Sequence, residues 1–545
     1  MAAIRLGDQM GGAQAPRREA MLRLRFGRTE AAATLAVLLY GAAAIILAGG
    51  LGLAAPEAVA RTARLGNLWG GFEQTLIAFG FDRPPLITLL TTPFAAFPAL
   101  REGGLAATLA TALTGGIAVH AAAGVAHRSG LSGPATFLFM FAFAFHPLLF
   151  FAGAVGLPET LYASLVLIAL SQFGSWLHHE SVASVIGAGV ALGIAFVVRY
   201  DSIILAAVMA LTFWWVAAGR AVRRDADADL APMLAFGVPI AFVAGLWTMI
   251  SWFPHGETGE FIRLAAELSR LGADDPLLLD RMLELRDAPL SGLLWAARWG
   301  ATIAPLSALA ILVLLCWGAW RRSREAIAMA LVCTATLLPP AISVATGHGQ
   351  PLVTHLFIAV VPAFTILGYR EQGLTRGRSP DRYEGPRRRA QAAWCALLLV
   401  GSLGAGAVLA ILPDTDRPVA GLRAVARGET VPAVAADVAA MAAWIREHGG
   451  EGDYVVDVNR HAEVMVATGD FSRFRTDADR SGEAIAYDPY RLASYVVTRR
   501  PLPGQGEGRI EKPHPTLYAD GSGFTELAFE AGEYRIYRVT GPALP

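Results

Sequence analysis

The chain alternates long apolar runs with short polar intervals over its first three quarters. Most of these runs approach the roughly 20 residues that a helix needs to cross a bilayer. The pattern predicts about eleven spanning helices, at 31–53, 104–124, 134–153, 158–174, 182–198, 203–218, 231–250, 293–316, 326–346, 352–369 and 391–412. We therefore expect an α-helical polytopic membrane protein.

The segment 86–100 is also apolar, but it is short and contains Pro93 and Pro98. Arginine placement indicates whether it spans, because loops on the cytoplasmic side are enriched in Lys and Arg. If 86–100 lies along the interface, all four basic clusters fall on one side of the membrane. These clusters are 17–28, 220–224, 321–324 and 370–389. The distribution predicts an interfacial helix, a cytoplasmic N-terminus and an extracytoplasmic C-terminus.

The pattern changes after residue 412, where apolar runs shorten and charge rises. A helical period covers 434–448, opening near Asp437 and ending at Gly449 and Gly450. Alternation typical of strands appears at 454–458, 494–498 and 533–539. These features predict a small extracytoplasmic α/β domain.

The sequence predicts three parts, and the transmembrane part contains two long outer loops. The parts are a basic cytoplasmic N-terminus at 1–30, a transmembrane domain at 31–412 and the α/β domain at 413–545. The loops are the first outer loop, 54–102, and a large outer loop, 251–292.

Composition supports the membrane assignment. Charged residues make up 17% of the chain and the mean hydropathy is +0.46, whereas soluble proteins carry about 25% charged residues. The net charge is zero, and the basic run 376–389 is typical of a cytoplasmic anchor, so we expect no nucleic-acid partner. Three dispersed cysteines indicate neither a disulfide framework nor a zinc site. No Walker loop is present, which argues against an ATP-driven pump.

Charged side chains collect on the predicted outer side, where they are costly and usually functional. The first outer loop contains a Pro-Pro corner at 83–86, preceded by an acidic residue. Other charged or ionisable residues open predicted helices or lie at their outer ends. The candidates are Glu57, Glu73, Asp82, Arg83, Glu159, Arg199, His348 and His355.

The order of these motifs resembles the GT-C superfamily of membrane glycosyltransferases. The branch with protein mannosyltransferases and the aminoarabinose transferases of lipid A is the most similar. That family has an acidic pair after its first helix, where this chain has Pro56 and Glu57, and then a basic-Pro-Pro-Leu motif. The matching segments are 83–86 (RPPL), 157–162 (LPETLY), 195–201 (AFVVRYD) and 350–367, which is similar to a late helix near the lipid-phosphate site. The family's pair normally begins with Asp, so a single carboxylate remains here.

The resemblance implies transfer of a sugar from a polyprenyl-phosphate donor, with inversion, to a lipid, glycan or protein acceptor. A carboxylate accepts the proton of the attacking hydroxyl, and arginines stabilise the phosphate leaving group. For the base, the candidates in order are Glu57, Asp82 and Glu73; for donor binding, they are Arg83, Arg199, Glu159, His348 and His355. We expect no cofactor, with a divalent metal left open, and a location in the bacterial inner membrane.

Each role has a structural alternative. Glu57 could stabilise the start of a helix, Asp82 could pair with Arg83, and Arg83 and Arg199 could be interfacial anchors. Two other classes of protein also remain open. A secondary transporter should show repeated halves with broken helices, and no repeat is visible. A catalytically degenerate scaffold is the second, favoured by the missing Asp.

Overall fold

A computed structural model describes most of the chain. The described residues are 15–71, 79, 83–131, 133–224, 230–255, 289–346, 353–374, 384–411, 417–449, 452–477, 479, 482–491, 493–501 and 508–540.

The membrane part of the chain is helical, and several helices begin at proline. Proline suits the first helical position because its missing N–H has no intrahelical partner there. Helices α1 to α6 are Ala15–Ala44, Pro56–Gly70, Pro85–Ala95, Pro98–Glu102, Ala106–Ala112 and Thr114–Arg128, with a π-helical turn, Ile45–Gly50, after α1. Helices α7 to α12 are Gly133–Ala144, Pro147–Val155, Glu159–His179, Val182–Phe196, Ser202–Arg224 and Ala231–His255. Helices α13 to α18 are Pro289–Ile303, Pro305–Arg321, Arg324–Ala335, Leu338–Ala345, Val361–Leu374 and Glu384–Ile411, and a 3₁₀ helix, Val353–Val360, precedes α17.

The helix pattern confirms a polytopic helical protein. Within the described ranges, six helices are long and apolar enough to cross a membrane, or up to nine if each bent helix pair forms one span. Two shorter apolar helices, at 182–196 and 355–369, coincide with the remaining predicted spans. The segment predicted to lie along the interface forms α3 and α4. At 1.5 Å per residue, α3 is about 16 Å long, roughly half the hydrocarbon thickness.

Among the described residues, three predicted spans form bent helix pairs, and the bend is largest in 293–316. Helices α13 and α14 meet at an angle of 108° around Ala304. Pro305 opens α14, and a residue that precedes proline is disfavoured in the helical conformation. Ala304 accordingly has φ −126° and ψ 62°. A continuous apolar run therefore does not give a continuous helix here.

The C-terminal region folds as an α/β unit around a five-stranded sheet. Its strands β1 to β5 are Tyr454–Val456, Phe474–Thr476, Tyr495–Arg499, Thr525–Ala531 and Tyr534–Val539, in the order β2-β1-β3-β5-β4. Helices α19 to α23 are Arg417–Ala426, Ala436–Glu447, Ala462–Thr468, Gly482–Tyr487 and Leu517–Asp520. Strands β1, β2 and β3 are parallel, whereas β5 is antiparallel to both β3 and β4.

The predicted helix and the three predicted strands are confirmed as α20, β1, β3 and β5. Two strands were missed. Strand β2 has only three residues, and the side chains of β4 are mostly exposed or half-buried. Neither therefore produces the alternating apolar pattern that indicates a strand.

Helix α2 joins the membrane helices to the C-terminal domain. Its Ala60 and Ala63 lie in the hydrophobic core of that domain. Gly66 faces the ring of Phe471, because a Cβ built on it would lie 2.4 Å from that ring. Further along, the Asn67 side-chain amide donates to the Thr476 hydroxyl at 2.7 Å. Helix α2 is thus part of the domain core.

Gly156, which ends α8, allows α2 to pack close to the membrane helices. Its φ is +97°, and an added Cβ would lie 2.3 Å from the Cβ of Ala58. We expect Gly156→Ala to lower the unfolding midpoint clearly, because it adds this clash to a left-handed backbone cost of about 1–2 kcal/mol. Gly428 has φ +80°, and a Cβ added there would have no atom within 4 Å. Gly428→Ala is therefore the matched control, and equal midpoints for the two variants would contradict the close-packing explanation.

Candidate functional site

Two backbone hydrogen bonds each join a pair of motifs, and an ion pair between Arg199 and Glu159 links the two pairs at one end of the membrane helices. The N–H of Ala55, just before α2, donates to the carbonyl of Val155 at 2.9 Å, beside the 157–162 motif. The N–H of Leu86, in the Pro-Pro corner, donates to the carbonyl of Val197 at 3.0 Å, in the 195–201 motif. We call the resulting group the junction site; its members are Glu57, Arg61, Arg64, Arg83, Glu159, Arg199, Asp201, His355 and Asn459.

Glu57 lies in the first turn of α2, after Pro56. Its side chain is exposed, but protein encloses it on most sides. This burial raises the pKa of the Glu57 carboxyl, and the positive charges of Arg83, Arg61, His355 and Arg199 together outweigh it, so that the pKa is lowered overall. Four cationic groups that lie far apart in the sequence therefore converge on one solvent-accessible carboxylate, which is ionised at neutral pH.

Arg61 follows Glu57 by one helical turn, on the same face of α2. The Arg61 side chain is buried, with an exposed fraction of 6%, and its Nη1 donates to the Gly156 carbonyl at 3.1 Å. Burial, with the neighbouring charge of Arg83, lowers the pKa of Arg61 to about 10, although Glu57 and Glu159 oppose this change. Arg61 therefore stays protonated at neutral pH.

Arg199 is held by two carboxylates. Its Nη1 donates to Glu159 at 3.1 Å, and its Nη2 donates to Asp201 at 2.9 Å. Its guanidinium also lies 5.8 Å from the ring centres of Tyr162 and Phe357. Burial lowers the pKa of Arg199, but Asp201 and Glu159 raise it above its ordinary value. The 157–162 and 195–201 motifs are thus joined by an ion-pair network.

Arg83, besides its charge interaction with Glu57, has a neutral partner from the C-terminal domain. The side-chain oxygen of Asn459 accepts from Nη2 of Arg83 at 3.2 Å and from Nη2 of Arg64 at 2.9 Å. Asn459 lies in the turn after β1, at the carboxyl end of the parallel strands. The C-terminal domain therefore contributes a side chain to the junction site.

The structure brings together five of the residues selected from the sequence, namely Glu57, Arg83, Glu159, Arg199 and His355. Asp82, Glu73 and His348 lie outside the described residues. Arg61, Arg64 and Asn459 were missed. The spacing of Arg61 and Arg64, four and seven residues after Glu57, could have identified the two arginines as a continuation of one helix face.

The sequence left a divalent metal open. Across the part of the chain that the structure describes, no group of three His, Cys, Asp or Glu side chains is arranged to hold a metal ion.

A buried acidic cluster underlies the turn that carries Asn459. Burial raises the pKa of Asp477 to about 7, and neighbouring Asp457 adds to this effect while Arg509 opposes it. The folded domain therefore binds this proton more tightly than the unfolded chain. The contribution of Asp477 to stability is therefore fully present below the ordinary Asp range, falls as pH rises toward 7, and is lost above it.

We expect Asp477→Asn to remove part of this pH dependence, because Asn keeps the oxygen that accepts from the Val458 N–H at 2.9 Å. At pH 8 the variant should unfold roughly 5 °C above the wild type, as measured by thermal melts at pH 5 and pH 8. Asp470→Asn is the control, because the pKa of Asp470 is shifted in the opposite direction. Burial raises this pKa, but hydrogen bonds from Ser472 and Arg473 outweigh burial and lower it overall. A wild-type melting temperature that rises between pH 5 and pH 8 and is unaffected by Asp477→Asn would contradict this interpretation.

No family model and no curated protein matches the chain. Among solved structures, ArnT from Cupriavidus metallidurans, bound to undecaprenyl phosphate, is similar at 15% identity, with a TM-score of 0.47 over 92% of this chain and 97% of that one. The oligosaccharyltransferase AglB from Archaeoglobus fulgidus, in complex with an inhibitory peptide and a dolichol-phosphate, is similar at 12% identity, with a TM-score of 0.41 over 89% of this chain and 70% of that one.

Both matched proteins are members of the GT-C superfamily, which the sequence motifs of this chain resemble. The chain itself is a multi-pass helical membrane protein with a small C-terminal sheet domain.

Proposed function

We propose that the chain is an integral membrane glycosyltransferase that moves a sugar from a polyprenyl-phosphate donor to an extracytoplasmic acceptor, with inversion. The observation that carries this proposal is the convergence of Arg83, Arg61 and His355 on the accessible carboxylate of Glu57. A base and a set of cations lie side by side, at the junction of apolar helices and a polar domain.

Glu57 is the proposed general base. As the acceptor oxygen bonds to the anomeric carbon, its proton passes to the Glu57 carboxylate, and the bond from that carbon to the phosphate oxygen breaks. The lowered pKa of Glu57 keeps it in the form that accepts a proton. Its place at the start of α2 leaves the carboxylate open to an acceptor.

Arg83 and Arg61 are the proposed ligands of the departing lipid phosphate. Charge-assisted hydrogen bonds from guanidinium groups stabilise such an anion, and His355 lies within electrostatic reach of the same carboxylate. Arg199, expected from the sequence as a second ligand, already donates to Glu159 and Asp201. We therefore assign Arg199 and Glu159 to holding the site together.

The proposed orientation places the junction site and the C-terminal domain outside the cytoplasm, in the inner membrane of a bacterium. Arg220, about 27 Å along α11 from Ser202 at its site end, lies 3.8 Å from both Glu180 and Glu325. Two of the four basic clusters therefore lie near the end of the helices away from the site. This supports the sidedness that arginine placement predicts.

The experiment uses membranes from cells that express the full chain. They are incubated with radiolabelled polyprenyl-phosphate sugars, one hexose or pentose at a time, and label is measured in the lipid, glycan and protein fractions. We expect transfer from at least one lipid-linked sugar and none from the matching nucleotide sugar when the lipid carrier is absent. Saturable, gradient-dependent solute uptake by proteoliposomes, without transfer, would instead identify a transporter.

A further inference from the structure

We propose that Asn459 is a positioning residue through which the C-terminal domain orients Arg83, a proposed ligand of the lipid phosphate, together with the neighbouring Arg64, without adding negative charge. This inference rests on the proposed function. The carrying observation is one side-chain oxygen shared by two guanidinium groups, at 3.2 Å and 2.9 Å. Because both partners donate, the shared atom is the amide oxygen and not the nitrogen.

The turn that presents Asn459 is itself fixed by buried carboxylates. One oxygen of Asp457 accepts from the backbone N–H of Asn459 at 2.9 Å, and the other accepts from the N–H of Arg509 at 2.9 Å. Asp457 is buried, with an exposed fraction of 1%. The neighbouring N–H of Val458 donates to Asp477 at 2.9 Å. These contacts place the amide oxygen of Asn459 in a defined position at the edge of the sheet.

The chemistry of the acceptor distinguishes this contact from the one at Arg199. Glu159 and Asp201 bring two negative charges to Arg199, which suits a structural ion pair. Asn459 instead accepts hydrogen bonds from Arg83 and Arg64 through a neutral amide, which brings no net charge to them. A neutral acceptor fixes the side chains of Arg83 and Arg64 and does not repel a phosphate. An aspartate at the same position would repel the phosphate. The choice of Asn at this position therefore favours anion binding.

The test measures binding of undecaprenyl phosphate to the purified full-length protein in detergent, by microscale thermophoresis. We expect Asn459→Asp to weaken binding by about tenfold, because a carboxylate adds a negative charge beside the arginine that is proposed to bind the phosphate. Asn459→Ala should weaken it by roughly threefold, because the arginines lose one restraint. The expected order of affinity is wild type, then Asn459→Ala, then Asn459→Asp.

A purely structural role for Asn459 predicts a different order. Aspartate would then hold the arginines at least as well as asparagine, and only Asn459→Ala would lose affinity. Thr476→Val is the matched control, since it removes the bond from Asn67 between the same helix and the same sheet edge. It should lower the thermal midpoint without changing affinity for the lipid.

Asn459→Gln keeps the neutral acceptor on a longer side chain and should retain more affinity than Asn459→Asp. That comparison stays informative if the Asp variant folds poorly. Wild-type affinity in both Asn459→Asp and Asn459→Ala would overturn the inference while leaving the proposed function standing. A wild-type protein that does not bind undecaprenyl phosphate would overturn the proposed function and this inference with it.

Discussion

Replacing Glu57 by glutamine is expected to slow sugar transfer by about 10²–10⁴-fold, the usual contribution of a general base. The amide has nearly the same shape but does not accept the proton of the acceptor hydroxyl. Affinity for undecaprenyl phosphate should not fall, because the variant removes a negative charge beside the phosphate ligands. A loss of turnover with retained lipid binding is therefore the specific signature.

The control for this prediction is Glu429→Gln, which changes an exposed carboxylate that pairs with Arg427 in a surface contact at 2.8 Å. It should transfer at the wild-type rate. Asp82→Asn and Glu73→Gln test the other two carboxylates selected from the sequence. If Glu57 only stabilises the start of α2, Glu57→Gln would cost about 0.3–1 kcal/mol of stability and leave transfer intact. Full activity in both Glu57→Gln and Asp82→Asn would contradict the general-base proposal.

Replacing Arg199 by alanine is expected to give the largest loss of stability, roughly 3–5 kcal/mol. The change leaves Glu159, whose exposed fraction is 3%, without the cation at 3.1 Å that offsets its burial. The double variant Arg199→Ala/Glu159→Gln should recover a large part of the loss, because it also removes the buried charge. Reversible unfolding in mixed micelles of SDS and mild detergent measures both values.

The matched control is Arg427→Ala, which removes an exposed ion pair worth at most about 1 kcal/mol. If Arg199→Ala and Arg427→Ala have equal free energies of unfolding, the network around Arg199 is not the structural anchor that we describe. A double variant less stable than Arg199→Ala alone would argue against an uncompensated Glu159 as the cause.

Much of the membrane architecture could be predicted because hydrophobic length is a local property of the sequence. Arginine sidedness predicted an interfacial helix; α3 is too short to span a bilayer alone, and its position along the interface stays a prediction. The break at Ala304 was missed, since an apolar run continues through Pro305 and only the backbone angles reveal the bend. The backbone restriction that Pro305 imposes on Ala304 breaks the helix there, although the apolar pattern continues.

The site was predictable only as far as its residues lie in short motifs. Glu57, Arg83, Glu159 and Arg199 each stand in a recognisable segment, and the structure brings those segments together. The partnership of Arg83 with Asn459 spans 376 positions, and no local pattern encodes such a contact. The direct hydrogen bonds of Arg199 to Glu159 and Asp201 also depend on packing between helices, so the sequence ranked Arg83 and Arg199 equally.

The most direct test of the account maps where a lipid phosphate binds. A polyprenyl phosphate with a photoreactive diazirine near its phosphate is crosslinked to the purified full-length protein, and labelled peptides are identified by mass spectrometry. We predict labelling in the first turns of α2, around 57–64, and in the corner 83–86, with loss of both signals under excess undecaprenyl phosphate. Labelling confined to other segments, or unaffected by the competitor, would contradict the claim that the junction site binds a polyprenyl-phosphate donor.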